Sequence, residues 1–147
     1  MEQKLIQKYL EEVQLFQGLR SDEVRRIISK GLTMRFAKEE TIFRQDTTGS
    51  QMYVVLDGKV GVVEGEKCLA ELGAGAMFGE MALVTKKPRS ASIIALEDSR
   101  LFVLSESTFE RLMTKRVAIR ILLNIVRVLS DRLKIADDRI SHMDKNG

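Results

Sequence analysis

The chain has 147 residues, the size of one domain; 44% of them are hydrophobic and 31% are charged, which argues against a disordered chain. It has no run of about 20 apolar residues that could span a membrane, and charges throughout the N-terminal segment exclude a secretory signal peptide. A single cysteine, Cys68, and a single histidine, His142, exclude an internal disulfide and argue against Cys/His metal clusters and His-based nucleophile triads. We therefore expect a cytoplasmic protein that is not an enzyme and holds no metal or cofactor, with only carboxylate chemistry left open.

The formal net charge is +3, and the positive charge is concentrated near the end of the chain. Residues 111–147 hold nine Lys or Arg against four Asp, a balance of +5, whereas residues 1–110 hold fifteen against seventeen acidic residues, a balance of −2. A basic segment of this kind can bind nucleic acid, or it can be the solvated face of a helix, which is the commoner case. Two Tyr and no Trp offer little surface for stacking bases.

Residues 1–33 have the apolar spacing of two helices. Ser21 is the predicted N-cap of the second helix, which we expect to run to about Lys30 and to stop at Gly31. The apolar positions are Leu5, Ile6, Tyr9, Leu10 and Val13 in the first helix and Val24, Ile27 and Ile28 in the second.

Residues 34–105 differ in character, because short β-prone runs alternate there with turn residues. Seven of the ten glycines lie between Gly49 and Gly79, and Asp57-Gly58 between two runs predicts a two-residue hairpin. No helix alternates with the strands, so the pattern favours an antiparallel β-roll or barrel over a parallel α/β fold. The runs cover residues 41–43, 52–56, 60–63, 92–95 and 100–104.

Residues 106–147 are predicted to be helical, with Ser105 at their start and no Gly or Pro between Val117 and Met143. Apolar residues recur there at alternating spacings of three and four, which is the a/d pattern of a coiled coil, and β-branched a positions with Leu-rich d positions favour a parallel pair of helices. The a positions are Ile119, Val126, Leu133 and Ile140, and the d positions are Leu122, Leu129, Ala136 and Met143.

A second apolar stripe follows the first half of the same helix, at Val117, Ile121, Ile125 and Val128. A helix with two apolar faces usually has two neighbours. We therefore expect one stripe to pack on the chain's own roll and the other to form a homodimer. The residues expected in that homodimer are Ile119, Leu122, Val126, Leu129, Leu133, Ala136 and Ile140. The alternative is that both stripes pack within one chain.

The segment from residue 73 to residue 92 combines groups that suit a phosphorylated sugar. Gly79 permits a close backbone approach, and the turn from Glu80 to Leu83 can point backbone N–H groups at an anion. Arg89 and the Ser90 hydroxyl add a guanidinium and a donor for one phosphate, and the Glu80 carboxylate can accept a hydrogen bond from a sugar hydroxyl. The structural alternative is a Glu80–Arg89 ion pair that closes a loop over the barrel.

Two motifs in this segment, Phe78-Gly79-Glu80-Met81-Ala82-Leu83 and Pro88-Arg89-Ser90-Ala91, resemble the phosphate-binding cassette of cyclic-nucleotide-binding domains. The resemblance covers about residues 10–140. It implies an α+β fold in which an antiparallel, jelly-roll-like β-roll (34–105) is flanked by N-terminal helices (1–33) and a C-terminal lid or dimerisation helix (106–147), as one domain. It also implies a site that contains Phe78, Gly79, Glu80, Met81, Ala82, Leu83, Arg89, Ser90 and Ala91.

By the same resemblance, Glu80 binds the ribose 2′-hydroxyl, and Arg89 pairs with the cyclic phosphate. The base is expected between the roll and the last helix, near Val62 and Leu72. The last helix is similar to that of bacterial cAMP-responsive activators, although Ala136-Asp137 stands where those proteins carry the Thr-Ser pair that contacts adenine.

This departure leaves both adenine and guanine as alternatives for the base, because Arg132 could stack on the base and Asp137 could accept hydrogen bonds from a guanine. We expect a regulatory module that binds cAMP or cGMP, repositions its last helix to signal, and carries no DNA-binding domain. The alternative is a dimerising scaffold of the same fold with a non-functional pocket.

Overall fold

A computed structural model of the protein describes residues 2–83, 85–112 and 114–146. The helices are α1 (Glu2–Glu12), α2 (Ser21–Lys30), α3 (Glu106–Leu112) and α4 (Lys115–Asn146), with 3-10 helices at Gln14–Phe16 and Glu80–Leu83. The strands are β1 (Leu32–Phe36), β2 (Thr41–Phe43), β3 (Gln51–Asp57), β4 (Lys59–Glu64), β5 (Lys67–Gly73), β6 (Met77–Phe78), β7 (Ser92–Ala95) and β8 (Ser99–Ser105). Within these residues, none of the helices combines the length and the apolar character needed to cross a membrane.

The strands form two antiparallel sheets of four, with the orders β1-β8-β3-β6 and β2-β7-β4-β5. Helices lie at both ends of the chain, so the predicted α+β class, an antiparallel roll with N-terminal helices and a long C-terminal helix, is confirmed. The helical region before the roll is slightly shorter than expected, because β1 begins at Leu32.

Strand β3 shows how the sequence produces two cores from one strand. Successive side chains of a strand point to opposite faces, and five consecutive residues of β3 are buried. Met52, Val54 and Leu56 join the core shared with α1, α2 and α4, whereas Tyr53 and Val55 join the core that also holds Val60, Ile93 and Leu101 from both sheets. The roll therefore has a core of its own between the two sheets, and helices cover one of its outer faces.

The turn at Asp57-Gly58 exists, but the hairpin predicted for it is wrong. Gly58 has φ +97°, and β3 and β4 on its two sides belong to different sheets. Asp57 accepts a hydrogen bond from Arg100 on β8 at 2.6 Å, which ties the end of β3 to its own sheet while the chain crosses to the other. A two-residue hairpin does occur between β4 and β5, at Gly65 and Glu66.

The first helices agree with the sequence prediction except for one cap. Helix α2 ends at Lys30 and Gly31 is its C-cap, as expected, but the N-cap is Arg20 rather than Ser21. The backbone N–H of Arg20 donates to the Glu23 carboxylate at 2.9 Å. Because Glu23 reaches back to this N–H, the helix begins one residue earlier than the serine hydroxyl suggested.

Helix α4 presents its two apolar stripes to different surroundings. Val117, Ile121, Ile125 and Val128 are all buried and pack with the N-terminal helices and the roll. Most of the a/d positions are exposed; Ile119, Val126, Leu133 and Ile140 are between 57% and 63% exposed. Leu129, which was expected in the homodimer, is instead partly buried and packs against the chain's own core. The side chain of Met143 lies outside the described residues. The prediction that one stripe packs on the chain's own fold is thus confirmed.

Candidate functional site

A sharp turn after β6 begins the site. Gly79 has φ +74°, in the left-handed region that glycine tolerates best. A Cβ atom added there would lie 2.9 Å from Nη1 of Arg89. Glycine at this position therefore lets the backbone turn into the 3-10 helix Glu80–Leu83 and leaves room for the guanidinium beside it.

The Arg89 side chain is held in place by backbone carbonyls and an aromatic ring. Nη1 donates to the Gly79 carbonyl at 3.2 Å, and Nη2 donates to the Gln51 carbonyl at 2.7 Å. The guanidinium carbon lies 4.2 Å from the centre of the Phe43 ring, a cation–π contact. Burial lowers the pKa of Arg89, while the charges of Tyr53 and Glu80 act to raise it. The group is thus a positioned cation with donors left over for an anion.

The aromatic residues behind Arg89 form one packed group. The rings of Tyr53 and Phe78 are stacked with centroids 5.0 Å apart, and Phe43 packs against both at 5.8 and 5.9 Å. Burial raises the pKa of Tyr53, with the Arg89 charge opposing it. This cluster fixes the ring on which the guanidinium lies.

The Glu80 carboxylate is almost completely buried, and its partner comes from helix α4. Nη1 of Arg132 donates to Glu80 Oε1 at 3.1 Å, and Nη2 of Arg132 donates to the Met77 carbonyl at 2.6 Å. The direct Glu80–Arg89 ion pair that was the alternative interpretation is replaced by these contacts. Through Arg132, the loop that carries Glu80 is joined to the long helix.

These groups line one cavity of about 640 Å³ between the roll and α4. Its walls combine five charged residues, among them Glu80, Arg89 and Arg132, with apolar side chains, including Phe43, Val62 and Leu72 from the roll and Ile135 from the helix. A concave, mainly apolar pocket with a few convergent polar groups is the usual form of a small-molecule site. The arrangement can bind a ligand that has one anionic group, a hydroxyl and a flat apolar part.

The structure brings most of the predicted site residues to this cavity. Among them, the lining residues are Phe78, Gly79, Glu80, Met81, Ala82, Arg89, Ser90, Ala91 and Arg132, together with the predicted base neighbours Val62 and Leu72. The side chain of Leu83 lies outside the described residues. Asp137 is exposed on α4 and does not line the cavity of its own chain, as far as the described residues show.

Several lining residues were not found from the sequence, namely Phe43, Ala70, Thr85, Lys87, Ile93, Ile135 and Arg139. Ile135 and Arg139 follow Arg132 at helical spacings of three and seven, so the face shared with Arg132 could have indicated them. No local signal marks Phe43, because β2 reaches the cavity only through the pairing of β2 with β7.

A second cleft, of about 650 Å³, lies near the end of β3 and is lined largely by charged side chains. Its three acidic side chains already accept hydrogen bonds: Asp57 accepts from Arg100 at 2.6 Å, and Glu40 and Asp98 accept from the backbone N–H groups of Ala37 and Lys38 at 3.0 and 2.9 Å. The cavity at Glu80 and Arg89 is the one with apolar walls, and it coincides with the cassette motifs.

A family model described as the cyclic nucleotide-binding domain matches residues 33–116 of this chain, which include all eight strands except the first residue of β1, and both cassette motifs. The chain belongs to the cyclic nucleotide-binding domain family. The resemblance inferred from the cassette motifs is therefore confirmed.

Other members of the family are similar over most of this chain. The Cyclic AMP receptor protein of Thermus thermophilus is 34% identical over 128 residues, which cover 84% of this chain and 58% of that protein. A cAMP-dependent protein kinase regulatory subunit of Hypocrea atroviridis is 30% identical over 110 residues, which cover 75% of this chain and 24% of that protein. The chain thus spans about a quarter to three fifths of the length of these curated relatives.

The fold is shared with a solved cyclic nucleotide-binding domain from Methylobacillus flagellatus. The TM-score is 0.83 at 25% sequence identity, with 95% of this chain and 82% of that chain covered. Because nearly all of this chain is covered, the similarity to that domain includes both the roll and the helices.

Proposed function

We propose that this chain is a regulatory module that binds a cyclic nucleoside monophosphate, cAMP or cGMP, and signals through helix α4. The observation that carries the proposal is the convergence of a buried carboxylate, Glu80, and a positioned guanidinium, Arg89, on one cavity beside the family's cassette. Cyclic nucleotides carry a hydroxyl and a single negative charge at the matching ends of their ribose phosphate.

In this proposal Arg89 pairs with the cyclic phosphate. Ser90 lies next to Arg89 and contributes its hydroxyl or backbone N–H, and the 3-10 turn that begins after Gly79 contributes further backbone donors. Glu80 accepts the hydrogen bond of the ribose 2′-hydroxyl. Charge-assisted bonds of this kind contribute about 1.5–3 kcal/mol each.

The base is proposed to lie where the apolar wall of the roll meets α4. Val62 and Leu72 supply one side of this space, and Ile135 supplies the other. Arg132 can stack on the base, and Asp137 remains a candidate acceptor for guanine. Both cAMP and cGMP fit this description, with cAMP favoured by the names of the two curated relatives.

The signal is proposed to pass through Arg132. This side chain joins Glu80 and the Met77 carbonyl to α4, so a ligand hydroxyl that arrives at Glu80 changes the contact that holds the helix. A ligand shifts a conformational equilibrium only through different affinities for its states. Competition at the Glu80 carboxylate supplies that difference here.

The exposed a/d stripe of α4 is proposed to be the interface of a homodimer. Twelve large apolar side chains are exposed in the described chain, and seven of them lie between Ile119 and Ile140 on this one helix. Association of two copies along the heptad positions would remove much of this apolar surface from water.

The direct test is calorimetric titration of the protein with cAMP and with cGMP. We expect binding, with the affinity reduced at least about 100-fold in Arg89→Ala because two charge-assisted bonds to the phosphate are lost. Arg26→Ala, which removes an exposed guanidinium on α2, is the matched control and should bind as the wild type does. Unchanged affinity in a folded Arg89→Ala protein would refute the role given to Arg89.

A pair of glycine variants tests the close approach at the turn. Gly79 and Gly65 have similar left-handed φ angles, +74° and +63°, but only a Cβ at Gly79 would meet Arg89, since nothing lies within 4 Å of a Cβ at Gly65. Gly79→Ala should weaken nucleotide binding, whereas Gly65→Ala should reproduce only the backbone strain. Equal affinities in the two variants would show that the approach to Arg89 is unimportant.

The scaffold alternative is separated by thermal unfolding with and without nucleotide. At a ligand concentration about 100 times the dissociation constant, binding stabilises the folded state by about 2.7 kcal/mol. A sensor therefore melts at a higher temperature in the presence of cAMP or cGMP. A melting temperature that neither nucleotide moves would favour the scaffold with a non-functional pocket.

A further inference from the structure

The loop that follows the second 3-10 helix carries only positive charge. Residues 81–96 contain three cations, Lys86, Lys87 and Arg89, and no acidic residue. The Lys86 side chain is 83% exposed, and Lys87 is also exposed. An acid meets this run only across the fold, where Lys86 donates to Glu106 at 2.9 Å. The loop is therefore a basic segment on the surface of the protein.

The basic run ends at Ser90, whose side chain is exposed and lies at the nucleotide cavity. Its hydroxyl makes no hydrogen bond to any other described residue. The backbone before it is also free, because the N–H groups of Lys86 and Lys87 have no acceptor in the part of the chain that the structure describes. A free hydroxyl after an exposed, cationic and non-helical segment suits a protein kinase that recognises its substrate by charge.

Three other serines also have an arginine three positions earlier, but each lies in a regular element. They are Ser29 in α2, Ser92 at the start of β7 and Ser130 in α4. A helix keeps its backbone groups bonded within itself, and the Ser92 hydroxyl accepts from the backbone N–H of Gln45 at 2.9 Å. A kinase would have to unfold these elements to bind them, so Ser90 is the favoured target.

We propose that Ser90 is a phosphorylation site, and that its phosphoryl group occupies the anion position at Arg89 and excludes the cyclic nucleotide. The proposal rests on the nucleotide-binding function proposed above and adds a covalent inactive state to it. In the transfer, Ser90 Oγ attacks the γ-phosphorus of ATP held by the kinase. The Oγ–P bond forms, the bond from that phosphorus to the bridging oxygen breaks, ADP leaves, and the hydroxyl proton passes to the kinase's carboxylate base.

The charges of the cavity favour a phosphoryl group at this position. The cavity is lined by four cations, Lys87, Arg89, Arg132 and Arg139, and by one carboxylate, Glu80, a balance of +3. A cyclic phosphate brings a single negative charge, whereas phosphoserine brings about 1.5 to 2 at pH 7 and three acceptor oxygens. Because the phosphoryl group is attached to the residue next to Arg89, it competes with the nucleotide as a tethered ligand.

The exclusion also works in the opposite direction. The backbone of Arg89 exchanges two hydrogen bonds with Asp46 and Thr47, each 2.8 Å long, and a kinase must lift the loop against them. A cyclic nucleotide paired with Arg89 and Ser90 adds to the contacts that hold the loop and covers the hydroxyl. The empty module is therefore the substrate of the kinase, and the loaded module is protected.

The modification is tested by site-resolved mass spectrometry after incubation with MgATP and a serine/threonine kinase domain that prefers basic residues before its target. We expect phosphate at Ser90 in the wild type and in Ser92→Ala. Saturating cAMP or cGMP should slow the reaction at Ser90 at least about tenfold, and the rate on a basic reference peptide controls for the kinase. No phosphate at Ser90, phosphate only at Ser29 or Ser130, or an equal rate with a nucleotide that calorimetry shows to be bound would overturn the proposal.

The contact with Arg89 is tested without nucleotide, in protein that carries phosphoserine at position 90, incorporated during translation by an expanded genetic code. A neighbouring guanidinium stabilises the dianion and lowers the pKa of phosphoserine. In this protein Arg89→Ala should raise the midpoint of the phosphorus NMR titration by about 1 pH unit, whereas Arg26→Ala, on exposed α2, should leave it unchanged. The same midpoint in both variants would show that the phosphoryl group does not bind Arg89, and would overturn the proposal.

Calorimetry then tests the exclusion. Protein with phosphoserine at position 90 should bind cAMP and cGMP at least about 100-fold more weakly than Ser90→Ala, which lacks the hydroxyl but gains no charge. Phosphoserine at the exposed position 29 of α2 makes the same charge change away from the cavity and should leave the wild-type affinity. Equal affinities for phosphoserine and alanine at position 90 would overturn the proposal. A wild-type protein that binds neither nucleotide, although its phosphoserine 90 titrates with Arg89, would instead contradict the proposed function, and the two failures are thereby distinguished.

Discussion

Helix α4 carries two apolar stripes of similar composition whose environments are opposite. Ile121 and Ile125 are fully buried against the N-terminal helices and the roll, whereas Ile119 and Val126 are more than half exposed. Both stripes repeat at helical spacing, so the pattern shows where the helix is apolar but not what covers each face. The comparison teaches that one face stabilises this chain, while the other stays exposed on it and is the face proposed for a homodimer.

The largest effect is expected when a charge is placed in the exposed stripe. Val126→Asp should leave the folded monomer intact and raise the dimer dissociation constant at least about 100-fold, because two valines, each contributing about 1.5–3 kcal/mol on burial, are replaced by carboxylates. Sedimentation equilibrium measures this change. Lys134→Asp, at an exposed position away from the stripe, is the control, and an equal loss of dimer in both variants would show that the stripe is not the interface.

An effect of similar size is expected in the buried stripe, and it concerns folding rather than association. Ile121→Ala removes a fully buried side chain and should lower the free energy of unfolding by about 2–5 kcal/mol. Urea denaturation at protein concentrations low enough to keep the chain monomeric measures it. A loss below about 1 kcal/mol would contradict the packing of this stripe on the fold.

The polar residue inside the buried stripe gives the next effect. Nδ2 of Asn124 donates to the carbonyls of Leu15 and Gln17 at 2.8 and 2.9 Å, which joins α4 to the first 3-10 helix and the turn after it. Asn124→Ala leaves both carbonyls without this donor and should cost about 1–3 kcal/mol of unfolding free energy. Ser130→Ala, exposed on the same helix, should unfold at the wild-type urea concentration.

The smallest effect is expected at Ile119, which has the same side chain as Ile121 but lies on the exposed stripe. Ile119→Ala should change the stability of the monomer by less than about 0.5 kcal/mol. The pair of isoleucines therefore separates the two stripes with one chemical change. Similar losses at both positions in the monomer would mean that the exposed stripe also packs within one chain.

Local patterns in the sequence predicted most of the helices and strands. These elements depend on the side chains and spacing within the segment itself. The five β-prone runs are strands, Gly31 ends α2, and the long helix has the expected apolar faces. Strands β1, β5 and β6 were not anticipated. The first two have mostly exposed side chains and the third has only two residues, so none shows the apolar signal of a buried strand.

The turn at Asp57-Gly58 shows where local reasoning fails. The dipeptide indicates a tight turn correctly, but its residues do not specify which strands pair on either side. The Asp57–Arg100 contact and the pairing of β3 with β8 keep β3 in one sheet, while β4 pairs with β5 and β7 in the other. The sheet that β3 joins is therefore determined by its pairing with β8, whose residues lie more than forty positions away in the chain.

The candidate site divides in the same way. The cassette motifs and their spacing indicated Glu80 and Arg89, and the family model confirms the resemblance they carried. Two other parts of the site lie far from the cassette in the sequence. They are Phe43, which forms part of the cavity wall, and Arg132, which binds the Glu80 carboxylate. Whether Asp137 serves a nucleotide site stays a prediction.

By itself, the sequence determined the family, the α+β class, the cassette residues proposed for a sugar phosphate, and the two apolar faces of the last helix. These depend on short-range spacing and on side-chain chemistry, which can be read along the chain. Only the tertiary structure decided the crossing of the chain between sheets, the cation that binds Glu80, and the face of α4 that stays exposed. Those features depend on contacts between distant segments, and such contacts exist only once the roll has closed against the helices.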